Sequence, residues 1–281
     1  MKRTTRNSLL IHLAAAVVAI CTLAPVAYMV LASVTPQRTL ISIPLQWIPS
    51  TFDFSRYTTI LAGGVNGVGS TFRAAFLNSL VVATVTVLIS MAVGILGAYA
   101  FARLRFRFRR LVLMLFLGTY MLPQIALLIP LYLILNSLGL LDTKTGLVLV
   151  ECSLVVPFVL WILSNYFVTI PEELEDAARV DGTSRLGALF RIVLPSARPG
   201  IFAAVMFAFL LAWDEFMYAL IFTSSDASKT LPVAISEFAG RYTTDFGLVA
   251  AGGIVAALPP VVIAVLFQRH IVSGLSAGAV K

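Results

Sequence analysis

Along this chain the polar residues gather in clusters, and between the clusters run apolar stretches of about 20 residues or more, the length a helix needs to cross a hydrocarbon layer roughly 30 Å thick. Six such stretches stand out, at residues 9–33, 74–102, 111–136, 146–168, 200–223 and 247–267. Backbone groups find no water in lipid, so runs of this length should be helices. The first run follows Lys2, Arg3 and Arg6 as in a signal peptide. It is longer than the apolar region of about 7–15 residues that such peptides carry, and is read as a span. Pro25, Pro123, Pro130, Pro157, Pro259 and Pro260 fall in or near spans. Kinks are expected there, because neighbouring helices can satisfy the carbonyls that proline frees. The pattern predicts an all-α polytopic membrane protein, a single transmembrane domain over 1–281 with six transmembrane helices.

Composition agrees. Hydrophobic residues make up 59% of the 281 and charged residues 12%, against about 25% charged in soluble domains, and the mean hydropathy is +0.97. A water-soluble globule is excluded. Basic residues are unevenly shared between the two sides that six spans define. One side holds Lys2, Arg3, Arg6, the Arg residues at 103, 105, 107, 109 and 110, then Arg179, Arg185, Arg191, Arg198, Arg269 and Lys281, which is 14. The other holds Arg38, Arg56, Arg73, Lys144, Lys229 and Arg241, which is 6. Basic excess marks the cytoplasmic side, so both termini are expected in the cytoplasm. Topology then accounts for most of the net charge of +7, and the chain has no motive for binding nucleic acid. The basic stretch 103–110 reads as a topology anchor in contact with lipid headgroups. Cys21 and Cys152 lie in separate apolar runs and read as packing residues, and His12 and His270 are the only histidines. No metal ligand set and no catalytic residue is assigned, and the chain is not read as an enzyme.

On the basic side the connections are short except for about 32 residues, 168–199. Pro171 suits a first helical turn, and Glu172, Glu173, Glu175 and Asp176 bring negative charge to the positive end of a helix dipole. That helix runs through Leu174, Ala177, Ala178 and Val180 to Asp181 and Gly182, where glycine permits a left-handed ending. Thr183 or Ser184 can cap a second short helix with Leu186, Leu189, Phe190 and Ile192, ending before Pro195. The small Ala177, Ala178 and Gly182 would let another protein approach closely.

The spacing Asp176-Ala177-Ala178, three residues, Gly182, nine residues, Ile192-Val193-Leu194-Pro195 resembles the EAA loop of ABC importer permeases, with Asp176 in place of the usual Glu. The resemblance covers nearly the whole chain and is nearest to the second, maltose-type permease of carbohydrate importers. It runs through Trp47-Ile48-Pro49, Phe76-Leu77-Asn78-Ser79, the stretch from Ala98 to Arg103, Ile129-Pro130-Leu131-Tyr132, Trp213-Asp214-Glu215-Phe216, Thr230-Leu231-Pro232-Val233 and the last eight residues. It implies a subunit that forms half of a sugar pathway with a second permease as a heterodimer. Two ATPase subunits carrying ATP and Mg, an extracytoplasmic sugar-binding protein and membrane lipid are the further partners implied. The location implied is the inner or plasma membrane of a bacterium or archaeon. No glycine here precedes a lysine, so no P-loop exists and energy must enter by contact. The resemblance assigns that contact to a cytoplasmic EAA-type coupling loop, 169–199, with Glu175, Asp176, Ala177, Ala178, Asp181, Gly182, Ile192, Leu194 and Pro195. For the tail 268–281, with Gly274, Ser276, Ala277 and Gly278, two readings stand: a contact with the ATPases, or a frayed terminus.

Ionisable groups inside spans default to function. Glu151 lies near a span end and can reach the interface. Asp214 and Glu215 are adjacent and project about 100° apart on a helix, so both cannot face lipid. A carboxylate accepts sugar hydroxyls, with Trp213, Phe216 and Tyr218 offering ring faces. Asp214 and Glu215 serve equally as polar bonds between helices, and both readings stand for them and for Asn78. The loops 35–73 and 224–246 are read as docking surfaces for the binding protein, with Pro44, Trp47, Pro49 and Phe52 resting on the membrane surface. The competing class is an ion-coupled secondary transporter or channel without an ATPase. It lacks an internal repeat here and leaves the long loop unexplained. The transported sugar is not legible.

Overall fold

A computed structural model describes residues 2–44, 46–62, 67–239 and 245–277, with side chains except at 2–7, 9 and 269–277. Its helices are α1 Lys2–Val34, α2 Gln37–Leu40, α3 Ser55–Leu61, α4 Val68–Arg103, α5 Arg109–Tyr120, α6 Gln124–Ser137, α7 Lys144–Val168, α8 Glu173–Val180, α9 Arg185–Ala188, a π-helical turn Leu189–Val193, α10 Leu194–Ser196, α11 Arg198–Trp213, α12 Met217–Phe222, α13 Leu231–Ser236 and α14 Phe246–Ala277. No strand occurs among the described residues.

Leu10–Val34 in α1, α4, α7 and Phe246–Gln268 in α14 are each long and apolar enough to cross a bilayer. Up to six crossings result when each bent helix pair is taken as one span. The third expected span is not continuous. Its halves α5 and α6 are bent by 93° at Met121, Leu122 and Pro123, because proline offers no N–H to the preceding turn and drives its predecessor out of the helical region. The fifth span also divides, into α11 and α12 around residues 214–216, a break that no proline announces. Pro25, Pro130, Pro157, Pro259 and Pro260 sit within helices that continue past them.

Residues 1–73 with 234–257 form one compact unit and residues 74–233 with 258–281 another. In the first, Arg56 of α3 is buried and its Nε pairs with Asp245 Oδ1 at 3.1 Å, while its Nη1 donates to the Thr35 carbonyl at 2.6 Å. Asp245 in turn accepts from the Leu248 amide at the start of α14 (3.0 Å). Gly247 leaves room for the Arg56 guanidinium, which a Cβ there would force to shift. Phe72 and Phe238 stack at 6.0 Å beside Gly252. The apolar window of α1 is 0% buried within the chain, which leaves that helix to lipid or to another subunit.

In the second unit α4, α6, α7 and α12 enclose a core of Val82, Leu135, Leu147, Val150, Tyr218 and Phe222. Gly94 and Gly97 let α4 approach α7 closely, for a Cβ there would lie 2.5 Å from Val159 Cγ1 and 2.9 Å from Leu160 Cδ1. Small residues at such contacts are how membrane helices gain packing without a hydrophobic driving force. Gly200 does the same for α11 against the ring of Tyr166.

Candidate functional site

The segment between α7 and α11 is a helical elbow whose local structure follows from its sequence. Helix α8 has Glu173, Glu175 and Asp176 in its first turn, where they oppose the helix dipole. It ends at Gly182 with φ +86°: the Thr183 amide bonds the Ala178 carbonyl at 3.0 Å and the Gly182 amide bonds the Arg179 carbonyl at 3.0 Å, the paired closure of a Schellman ending. Ser184, one of the two expected caps, accepts from the Gly187 amide at 3.1 Å and starts α9. The second helix departs from expectation. It widens into the π-turn and passes Pro195 within α10, and the segment Arg185–Ser196 then meets α11 at 82°.

The elbow has an inner and an outer side. On the inner side Glu175 is buried, its Oε1 paired with Arg103 Nε and its Oε2 accepting from the Tyr99 hydroxyl at 2.9 Å. Arg103 also donates to the Ile170 carbonyl at 2.8 Å, and the Tyr99 hydroxyl lies 3.3 Å from the Arg185 carbonyl. Tyr99 and Arg103 are four apart on α4, so one helix face grips both arms of the elbow. Ala188, Leu189 and Val193 are buried beneath. On the outer side Asp176, Ala177, Asp181 and Gly182 are exposed, and a Cβ on Gly182 would meet nothing within 4 Å. Leu174, Val180, Leu186 and Phe190 are exposed with them, Val180 to 89%. Of the residues assigned to coupling from the sequence, Glu175 therefore faces inward, Ala178, Ile192 and Leu194 are half-buried, and Asp176, Ala177, Asp181, Gly182 and Pro195 are open.

The second feature is the break in the fifth span. Glu215 is buried, and its two oxygens accept from the amides of Tyr218 (2.8 Å) and Ala219 (2.9 Å), which caps α12 from inside the chain. Its neighbour Asp214 is exposed and lines a cavity of about 420 Å3 with Gln124, Phe158, Phe207 and Phe216. Gln124 is the first residue of α6, so the cavity lies where two spans are interrupted. Phe158 and Phe207 meet there edge to face, 6.2 Å between centroids.

At the end of this unit away from the elbow, the loop after α12 is stapled down. Asn78 Nδ2 donates to the carbonyls of Asp226 and Lys229, both at 2.9 Å, and its Oδ1 accepts from Lys144 Nζ at 3.1 Å. Asp142, at φ +55°, accepts on one oxygen from the amides of Ser224 (2.8 Å) and Ser225 (3.0 Å) and from the Ser228 hydroxyl. Those donors, the Ser225 amide foremost, hold its carboxyl well below the usual carboxylate range.

The candidate path residues thus separate. Asp214 reaches the cavity, and Glu215 borders it while spending its oxygens on α12. Asn78 is committed to the loop. Trp213 is buried between Phe209 (5.4 Å) and Phe76 (5.8 Å), and Tyr218 is fully buried in the core. Glu151, expected at the interface, is instead 1% exposed with Thr86 donating to it at 3.1 Å. Gly274, Ser276 and Ala277 continue α14, and Gly278 lies outside the described residues. Sequence reasoning missed Tyr99, Gln124, Phe158 and Phe207, and read Arg103 only as an anchor. The i,i+4 pairing of a phenol and a guanidinium at the end of an apolar span was the available signal for two of them; nothing local marked the others.

Comparison with known proteins agrees with this architecture. Residues 90–277 match the family described as binding-protein-dependent transport system inner membrane component. The chain is 34% identical over 269 residues to the sulfoquinovosyl glycerol transport system permease protein SmoH of Agrobacterium fabrum, covering 96% of this chain and 92% of that one. It is 34% identical over 282 residues to the trehalose/maltose transport system permease protein MalG of Thermococcus litoralis, covering 100% and 99%. Its fold is similar to a chain of a bacterial ABC transporter involved in the import of the acidic polysaccharide alginate, with a TM-score of 0.77 at 21% identity over 96% of this chain and 98% of that chain. A membrane chain of interrupted apolar helices with a clamped elbow, matched over its length by permeases, belongs to the family of binding-protein-dependent transport system inner membrane components: it is a permease subunit of an ABC importer.

Proposed function

We propose that this permease forms half of the translocation pathway of a carbohydrate importer and that its elbow is the coupling helix on which ATPase subunits act. The whole chain works as one transmembrane domain with both termini and the elbow in the cytoplasm of a bacterium or archaeon. A second, different permease supplies the other half of the path, two ATPase subunits hold ATP and Mg2+, and an extracytoplasmic binding protein delivers the solute. Names of relatives support the carbohydrate class: MalG of Thermococcus litoralis is a trehalose/maltose permease, and DasC of Streptomyces coelicolor, 31% identical over 281 residues, is a diacetylchitobiose permease.

One observation carries the coupling assignment: the elbow is bolted on one side and bare on the other. Exposed Leu174, Val180, Leu186 and Phe190 surround the small Ala177 and Gly182, a surface suited to a protein groove. Underneath, Glu175, Arg103 and Tyr99 tie the elbow to α4, and α10 runs into α11. A force on the bare side therefore reaches two spans as a rigid displacement, which is what alternating access by an external motor needs. The motor biases one state only as far as ATP favours one of its own arrangements. The tail with Gly274, Ser276, Ala277 and Gly278 gives a second, smaller contact with the ATPases.

Gly182→Trp tests the assignment, with Gly182→Asn controlling for backbone strain, since Asn tolerates φ +86° and adds little bulk. In proteoliposomes of the full complex, the Trp variant is expected to insert and to lose ATP-driven uptake, while the Asn variant keeps it. Normal uptake in the Trp variant, or equal loss in both, overturns the reading.

A further inference from the structure

The cavity at the two span breaks has a chemical bias that family membership does not state. Breaking a membrane helix frees amide donors that an anion could use. At the fifth-span break the chain has spent two of them, because the Glu215 carboxylate takes the amides of Tyr218 and Ala219. Among the described residues, the charged ones in the cavity wall are Asp214 and Glu215, and no Lys or Arg lines it. What the wall offers a solute is an exposed carboxylate on Asp214, the amide of Gln124 and the ring faces of Phe158, Phe207 and Phe216. A carboxylate only accepts hydrogen bonds, so its natural partner is a hydroxyl or an ammonium group. Aromatic faces suit the apolar face of a pyranose ring and attract a cation. At about 420 Å3 the space lies in the range of small-molecule sites, roughly 300–1,000 Å3.

We infer that this cavity is a solute subsite on the permease itself, that it takes neutral or amino sugars through Asp214, and that it rejects sugars carrying an acidic group. The inference rests on the reading that the chain lines the translocation path. It adds a charge filter to the path, separate from whatever the binding protein selects. Like charge brought beside Asp214 is repelled, so an acidic sugar binds at least about tenfold more weakly than its neutral isostere.

The test uses the permease–ATPase complex in nanodiscs without nucleotide or binding protein, and saturation-transfer NMR, which reads weak contacts. Methyl α-glucoside and methyl α-glucuronoside serve as probes, differing only by a carboxylate in place of a hydroxymethyl group. The wild-type complex is expected to saturate the glucoside and to bind the glucuronoside at least about tenfold more weakly. Asp214→Asn, which removes the charge and keeps the shape, is expected to narrow that gap. Equal saturation of both probes by the wild type, or saturation of neither, overturns the inference, and this comparison needs no variant. If neither probe binds while Gly182→Trp uncouples and Gly182→Asn does not, the subsite falls and the coupling reading survives. If the Gly182 pair also behaves alike, the pathway reading falls with it.

Discussion

Two pairs of adjacent acids, Glu175-Asp176 on the elbow and Asp214-Glu215 at the break in the fifth span, have the same composition and opposite order. In each pair one carboxylate is buried and fully used, and the other is open. Neighbours near helical geometry point about 100° apart, so a doublet on the wall of a bundle cannot send both side chains the same way. The difference lies in what holds the buried member. Glu175 is held by the guanidinium of Arg103 and the phenol of Tyr99, groups on another helix. Glu215 is held by amides three and four residues further along its own chain. The first is a tertiary bolt and the second a local cap, and in both the buried acid frees its neighbour to meet something outside the chain.

Breaking the bolt should be the largest effect. Glu175→Ala leaves the buried Arg103, whose side chain is 8% exposed, with only the exposed Glu172 carboxylate, 3.9 Å away, as countercharge, a loss of about 3 kcal/mol. Asp176→Ala removes an exposed pair with Arg179 at 3.5 Å and should change stability by less than about 0.5 kcal/mol. It should nevertheless weaken the stimulation of ATP hydrolysis by the loaded binding protein. Thermal unfolding of the purified complex and its ATPase rate check both arms. If Asp176→Ala destabilises as much as Glu175→Ala, the two sides of the elbow are not distinct.

The cap comes second. Glu215→Ala strands two buried amides at a cost of about 2 kcal/mol, and Glu215→Gln, which keeps an acceptor oxygen, should recover part of it. Asp214→Asn should leave unfolding nearly unchanged. A Glu215→Ala variant as stable as wild type shows that the break holds itself without the carboxylate.

What the sequence made legible divides along the same line. Six apolar runs, the Asp181-Gly182 ending and the Ser184 cap were readable because each depends on residues within one turn of one another. The spacing from Asp176 to Pro195 identified the elbow, yet could not say that Glu175 faces inward, since that depends on Arg103 some 70 positions away in sequence. Pro123 announced trouble in the third span, and the structure turns that kink into a 93° break. Nothing in Asp214, Glu215 and Phe216 announced the other break, because there the helix is interrupted by a capping carboxylate in place of a missing donor. Asn78 looked like a path residue by its polarity and Tyr218 by its ring face. One is spent on a loop and the other on the core, facts set by partners distant in sequence.

Asp142 extends the comparison to a single acid held by backbone and hydroxyl donors, and its effect should be the smallest. Its carboxylate lies below the ordinary range because the Ser225 amide, the Ser228 hydroxyl and the Ser224 amide all point at it. Such a group binds fewer protons folded than unfolded at acid pH. The stability it gives is therefore complete above the unfolded value, about 4, and is lost as the pH falls toward its folded value. Asp142→Asn keeps an acceptor oxygen and a residue that tolerates φ +55°, so it removes the charge alone, at a cost of about 1 kcal/mol at neutral pH. Other carboxylates also protonate in acid, so the readout is the difference in unfolding midpoint between wild type and variant at each pH. That difference should be largest near pH 7 and should shrink below about pH 4. A gap that stays constant or widens on acidification means that the loop is held by the shape of residue 142 and owes nothing to its charge.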